Sequence, residues 1–135
     1  MLYEYPLTID ANTAATSPAT LDAPLAPGTV VRVDVQFPRG CVGLAHVQIW
    51  RREHQIWPGN VDGDISAEGL VVSWPEDLDL DDEPYEVQLR GWNEDDTFPH
   101  KITFRFALLP LGATQDARAS AGLLRRIGAA IFGGA

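Results

Sequence analysis

The chain of 135 residues has one cysteine, Cys41, so it can form no internal disulfide. Free cysteines are among the most buried residue types, and Cys41 is expected to be a small core or loop hydrophobe. Bases are scarce as well: ten Lys and Arg stand against nineteen Asp and Glu, for a net charge of -9. Nucleic-acid binding needs a basic footprint, so direct contact with nucleic acid is not expected. Apolar runs fall far short of a membrane-spanning helix. Met1–Asp10 has neither the basic n-region nor the apolar h-region of a signal peptide, which predicts synthesis in a reducing cytoplasm.

Catalytic signatures are missing too. Ser17, Ser66, Ser73 and Ser120 have no nucleophile-elbow context. Gly112 and Gly122 are not followed by the Lys-Ser or Lys-Thr of a phosphate loop. His46, His54 and His100 form neither a His-x-His nor a His-Glu-x-x-His pattern. The expectation is a protein that is not an enzyme and needs no cofactor and no metal.

What the chain does have is a two-residue alternation that keeps returning. Val31, Val33, Val35 and Phe37 alternate with Arg32, Asp34 and Gln36, and Ile102, Phe104, Phe106 and Leu108 alternate with polar partners. Strand side chains point alternately to opposite faces, so such segments bury one face and wet the other. Strands are predicted at Leu2–Ile9, Thr29–Phe37, Gly43–Arg51, His54–Trp57, Gly69–Trp74, Pro84–Trp92 and Lys101–Leu109, with a short one near Thr20–Asp22. Pro6 has no N–H to give, which places it at an edge or an irregularity. The expected fold is all-β, an antiparallel β-sandwich or jelly roll of seven to eight strands.

Residues 1–110 are read as this sandwich domain, residues 111–116 as a linker, and residues 117–135 as a helical tail. In the tail Leu123, Leu124, Ile127 and Ile131 fall at helical spacing, with Arg125 and Arg126 beside them. Gly122 and Gly128 weaken that helix, so it needs something to pack on. Charge is distributed unevenly: residues 62–96 carry thirteen acids and one base, whereas residues 97–135 carry five bases and one acid. An acidic body with a basic tail suits self-association or docking on a protein surface.

Three further features carry candidate chemistry. Asn60, Asp62 and Asp64 alternate as in a calcium loop, but Gly63 comes too early and Val71 stands where the closing Glu belongs. Glu76–Glu83 is a dense acidic run, read as a solvated loop in which Leu78 and Leu80 dip onto the core, or as a contact surface for a basic partner. Trp50 and Trp92 fall on the strand faces opposite Val47, Ile49, Val87 and Leu89. Exposed tryptophans serve as sugar platforms or interface anchors, and buried ones cover core edges.

The segments Gln36-Phe37-Pro38-Arg39-Gly40-Cys41, His54-Gln55-Ile56-Trp57-Pro58, Asp62-Gly63, Glu83-Pro84-Tyr85 and Gly91-Trp92-Asn93-Glu94-Asp95-Asp96-Thr97 resemble small proteins of unassigned function encoded among phage and prophage-like genes, commonly near virion structural genes. The resemblance covers about residues 2–110, and the basic tail is similar in kind. It implies a virion-associated accessory protein, such as a capsid decoration protein or a small head or tail component, made in the host cytoplasm and located in the virion. It carries over no site residues.

The expected partners are a second copy of the chain, a major capsid or tail protein, or both, with no membrane and a homo-oligomeric state. The expected interface residues are Leu123, Leu124, Arg125, Arg126, Ile127 and Ile131, with Trp50 and Trp92 on the body. The alternative is a carbohydrate-binding sandwich module using Trp50 or Trp92.

Overall fold

The structure, a computed structural model, describes residues 1–112. Eight strands are present: β1 (Leu2–Ile9), β2 (Ala19–Pro24), β3 (Gly28–Gln36), β4 (Ala45–Arg51), β5 (His54–Trp57), β6 (Val71–Leu80), β7 (Glu86–Asn93) and β8 (His100–Leu109). They form two four-stranded sheets in the orders β1-β8-β3-β6 and β2-β7-β4-β5. Every pairing is antiparallel. Among the described residues, 2–109 form an all-β sandwich. Its strands pair in a nested way: β1 with β8, β2 with β7, β3 with β6 and β4 with β5.

Alternation explains the core. Ile102, Phe104, Phe106 and Leu108 of β8 are buried, as are Ala45, Val47 and Ile49 of β4 and Val87 and Leu89 of β7. Both sheets send these residues inward, where each removes apolar surface from water. Gly91 lies on the inner face of β7, where a Cβ would sit 2.4 Å from Ile9 Cδ1, so glycine allows β1 to pack closely there.

The prolines sit where a missing N–H does no harm. Pro6 lies in β1 and Pro75 in β6, the two outer strands of one sheet. Proline and charge together discourage edge-to-edge pairing with another chain.

Three expectations need correction. In β3 Val30 rather than Val31 is buried alongside Val33 and Val35, because the register shifts between Val30 and Arg32. The strand expected at Gly69–Trp74 begins at Val71, so Leu70 lies just before β6 and is 51% exposed. The acidic run is not a loop throughout: β6 continues to Leu80, with Leu78 packed against the core and Leu80 fully buried. Asp79 accepts a 2.8 Å hydrogen bond from the Thr29 hydroxyl. Among the described residues no helix is long and apolar enough to cross a membrane. The tail residues Leu123, Leu124, Arg125, Arg126, Ile127 and Ile131, the helix expected for them and most of the expected linker lie outside the described residues.

Candidate functional site

The outer face of the β2-β7-β4-β5 sheet gathers the side chains with binding chemistry. Strand register dictates which ones meet. His46 of β4 pairs with Trp92 of β7, Gln48 with Arg90, and Trp50 with Gln88. On the other side of β7, Arg90 pairs with Thr20 and Gln88 with Asp22 of β2. The alternation that buries Val47, Ile49, Val87 and Leu89 therefore places both tryptophans on one surface. Trp50 and Trp92 are half-buried there, with the Gln48–Arg90 row of that face between theirs.

Each ring is held by a neighbour. The Arg90 guanidinium lies 3.7 Å from the centroid of the Trp50 ring, in a cation–π contact. Its Nε donates to Gln88 Oε1 at 2.7 Å. Trp50 Nε1 donates to Gln48 Oε1 at 3.0 Å, and Gln48 Nε2 donates to the Gly63 carbonyl at 2.8 Å. Trp92 stacks on His46 with centroids 5.4 Å apart and planes 12° from parallel. His46 Nδ1 lies 2.7 Å from Asp64 Oδ1, and Nε2 lies 3.3 Å from Glu94 Oε2 without hydrogen-bond geometry. Few rotamers remain for these side chains to lose on binding, which is the condition for a preorganised surface.

The Asn60–Asp64 loop, whose alternation departs from a calcium loop, braces this face. Gln55 Nε2 donates to the carbonyls of Pro58, Asn60 and Gly63, which fixes the turn, and Asp64 is engaged with His46. Among the described residues no group of three or more His, Cys, Asp or Glu side chains is placed to hold a metal ion.

A second polar cluster closes the β7–β8 hairpin at one end of the face. Asp95 Oδ1 accepts from the backbone N–H groups of Thr97 and Phe98 at 2.9 and 3.2 Å, and Oδ2 lies 2.9 Å from His100 Nε2. These hydrogen bonds hold the Asp95 carboxyl below the ordinary carboxylate range, led by the Thr97 N–H and then by His100. Glu68 is lowered in the same way, chiefly by the N–H groups of Val42 and Gly40, and Asp82 chiefly by Arg52. Cys41 is fully buried, and its thiol is pushed up by burial first and then by Glu68 and Asp95, which leaves it a poor nucleophile.

The sign of the pH effect follows. A carboxylate with a lowered folded value stabilises the fold above its unfolded value, about 3.9 for Asp, and loses that contribution as pH falls through the folded value. Asp95→Asn is expected to be less stable than the natural chain at neutral pH, with the gap shrinking as pH drops below about 4. Urea unfolding at a series of pH values checks this; a gap that stays constant into acid would show that the charge of Asp95 contributes nothing.

Alternation places Trp50 and Trp92 on this face from the sequence, whereas Arg90, Gln48 and Gln88 carry no signal of their own as binding residues. Their position follows from the same alternation, since Gln88 and Arg90 share the phase of Trp92 and Gln48 that of Trp50. No family model matches the chain, and no curated protein matches it. Among solved structures it is similar to the crystal structure of PirA, with 16% identity over 78% of this chain and 94% of that one. The TM-score is 0.34, too low to carry an argument about fold or function.

Proposed function

We propose that this chain is a non-enzymatic, virion-associated accessory protein, a capsid decoration protein or small head or tail component that docks on a protein shell and self-associates. The observation that carries this reading is the nested strand order β1-β8-β3-β6 against β2-β7-β4-β5. It supports reading the sandwich as a jelly roll, the eight-stranded architecture that viral capsid and lectin domains use. Fold alone does not name a function. The sequence resemblance to proteins encoded beside virion genes adds the second support. Its segments occupy the turns and strand ends that define this sandwich, including the Asp95 hairpin and the Gln55-bound turn.

In this reading the tail makes the contact with a neighbour through Leu123, Leu124, Ile127 and Ile131, flanked by Arg125 and Arg126. Ending the chain at Pro110 keeps every strand pairing, because β8 finishes at Leu109. Light scattering is expected to show an oligomer for the full chain and a folded monomer for the truncated one. Equal masses would remove the tail from assembly. Mass spectrometry of purified particles from the phage or prophage that encodes the chain is expected to find it, and its absence from them would overturn the virion reading.

A second reading is favoured by the open Trp50–Arg90–Trp92 surface: a carbohydrate-binding module.

A further inference from the structure

The outer face of the β2-β7-β4-β5 sheet carries three cavities that adjoin one another through shared lining residues. The first, about 260 Å³, lies between Asp22, Glu86 and Gln88 and is walled by Trp50 and Arg90. The second, about 360 Å³, lies between Trp50 and Trp92 over Gln48 and Arg90, with Thr16 and Pro18 on one bank and Asp62 on the other. The third, about 310 Å³, runs from Trp92 to Glu94 under residues 12–15. Trp50 and Arg90 belong to the first two, and Ala15 and Trp92 to the last two. Together they make a trench that follows β7 from Glu86 to Glu94, roughly 27 Å at about 3.4 Å per strand residue.

We infer that this trench binds a linear, neutral oligosaccharide laid along β7, with sugar rings against Trp50 and Trp92. The inference rests on the carbohydrate-binding reading of the face and specifies its ligand. The length exceeds any single sugar ring and fits a chain of them. Arg90 covers one face of Trp50 and His46 one face of Trp92, and the parts of the two rings left exposed supply apolar surface for the C–H faces of pyranoses. Between and beside them stand planar amide, guanidinium and carboxylate groups, which can pair with vicinal hydroxyls as donors and acceptors. A few oriented polar groups among aromatic walls are the usual make-up of a specific ligand site.

Two alternatives fit less well. An extended peptide binds a sheet by adding a strand to an open edge, through main-chain hydrogen bonds. This trench runs over β7 and β4, central strands whose main chains are already paired on both sides. An anionic polymer meets the wrong charge: five carboxylates line the trench against two guanidiniums, one of them already engaged with Trp50. Like charges repel such a ligand as it approaches.

The test uses the full chain and calorimetric titration with cellohexaose, laminarihexaose, mannohexaose and chitohexaose, the corresponding disaccharides, and hyaluronan hexasaccharide as the anionic probe. At least one neutral hexasaccharide is expected to bind, about tenfold tighter than its disaccharide, with a change in tryptophan fluorescence. Trp50→Ala and Trp92→Ala are each expected to lose about tenfold in affinity, the scale of removing one aromatic anchor. Lys101→Ala, on the other sheet, should bind as the natural chain does. Trp92→Phe keeps a ring and should retain part of the affinity, which guards against reading misfolding as lost binding; thermal unfolding of each variant checks the fold. Disaccharides that bind as tightly as hexasaccharides, or binding of hyaluronan alone, would overturn the linear neutral ligand and leave the carbohydrate reading standing. Binding that survives both alanine variants would overturn the assignment to this trench. No binding of any probe to the folded chain would overturn both.

Discussion

Phe106→Ala is expected to remove about 3–5 kcal/mol from the stability of the fold. The ring is fully buried on β8, between Tyr3 of β1 and Val33 of β3 in the ladder. Its face lies against Trp57, with centroids 6.5 Å apart and planes 28° from parallel. Trp57 in turn meets Trp74 edge-on at 6.1 Å. Trp57 belongs to β5 and Trp74 to β6, on different sheets, so this aromatic cluster ties the two layers together. Removing the ring forfeits its transfer free energy and leaves a void that stiff strands on both sides cannot close. Set against a total stability of about 5–15 kcal/mol for a domain, such a loss is severe. Urea unfolding followed by tryptophan fluorescence measures it, since Trp57 and Trp74 report on that corner. A loss below about 1 kcal/mol would show that the cluster does not hold the sheets together.

The contrast with Trp92→Ala is instructive. Trp92 is just as aromatic but lies on an outer face, half-buried against His46. Its removal opens no internal void, and its principal effect is expected on binding rather than stability. The sequence distinguishes the two positions by phase: Phe106 shares the phase of Ile102 and Phe104, whereas Trp92 opposes that of Val87 and Leu89.

Phase was also what made most of the fold readable. β1 and β5 have the expected bounds, Leu2–Ile9 and His54–Trp57, and the inward residues of β4, β7 and β8 follow the alternation. The misreadings occur where a second effect overrides that period. In β3 the register shift between Val30 and Arg32 moves the buried position from Val31 to Val30, which no local pattern announces. In β6 the charge density of Glu76–Glu83 suggested a loop. An outer strand accepts charge on its wet side, however, so Asp77 and Asp79 coexist with Leu78 and Leu80 on one strand. The candidate site shows the same division. Both tryptophans could be placed on outward faces from local phase alone. That Arg90 covers Trp50 and His46 carries Trp92 depends on β4 lying beside β7, a pairing of distant segments.

Asn93→Ala is expected to cost about 3 kcal/mol, because it leaves several buried polar groups without partners at once. Asn93 is 1% exposed and ends β7 beside the trench. Its amide Nδ2 donates to the carbonyls of Ile9 and Phe98 at 3.3 and 2.9 Å, and its Oδ1 accepts from the Asp95 N–H at 3.0 Å. Its own N–H donates to the Thr13 carbonyl at 3.0 Å. One side chain thus joins β1, the β7–β8 hairpin and the Asp95 cluster. An apolar replacement keeps the main-chain bond to Thr13 but strips the three side-chain partners and offers nothing in return, which is the costly kind of hydrogen-bond deletion. Asn93→Asp has almost the same shape and separates chemistry from packing. It keeps an acceptor for the Asp95 N–H but points a second carboxylate oxygen at two carbonyls, beside the charge of Asp95. It is therefore expected to be at least as destabilising as alanine at neutral pH and to recover in acid, as the new carboxyl protonates and regains a donor. Urea unfolding of both variants at neutral and acid pH decides the matter. An aspartate variant as stable as the natural chain at neutral pH would show that shape alone, and not the donated hydrogen bonds, holds this corner of the sandwich.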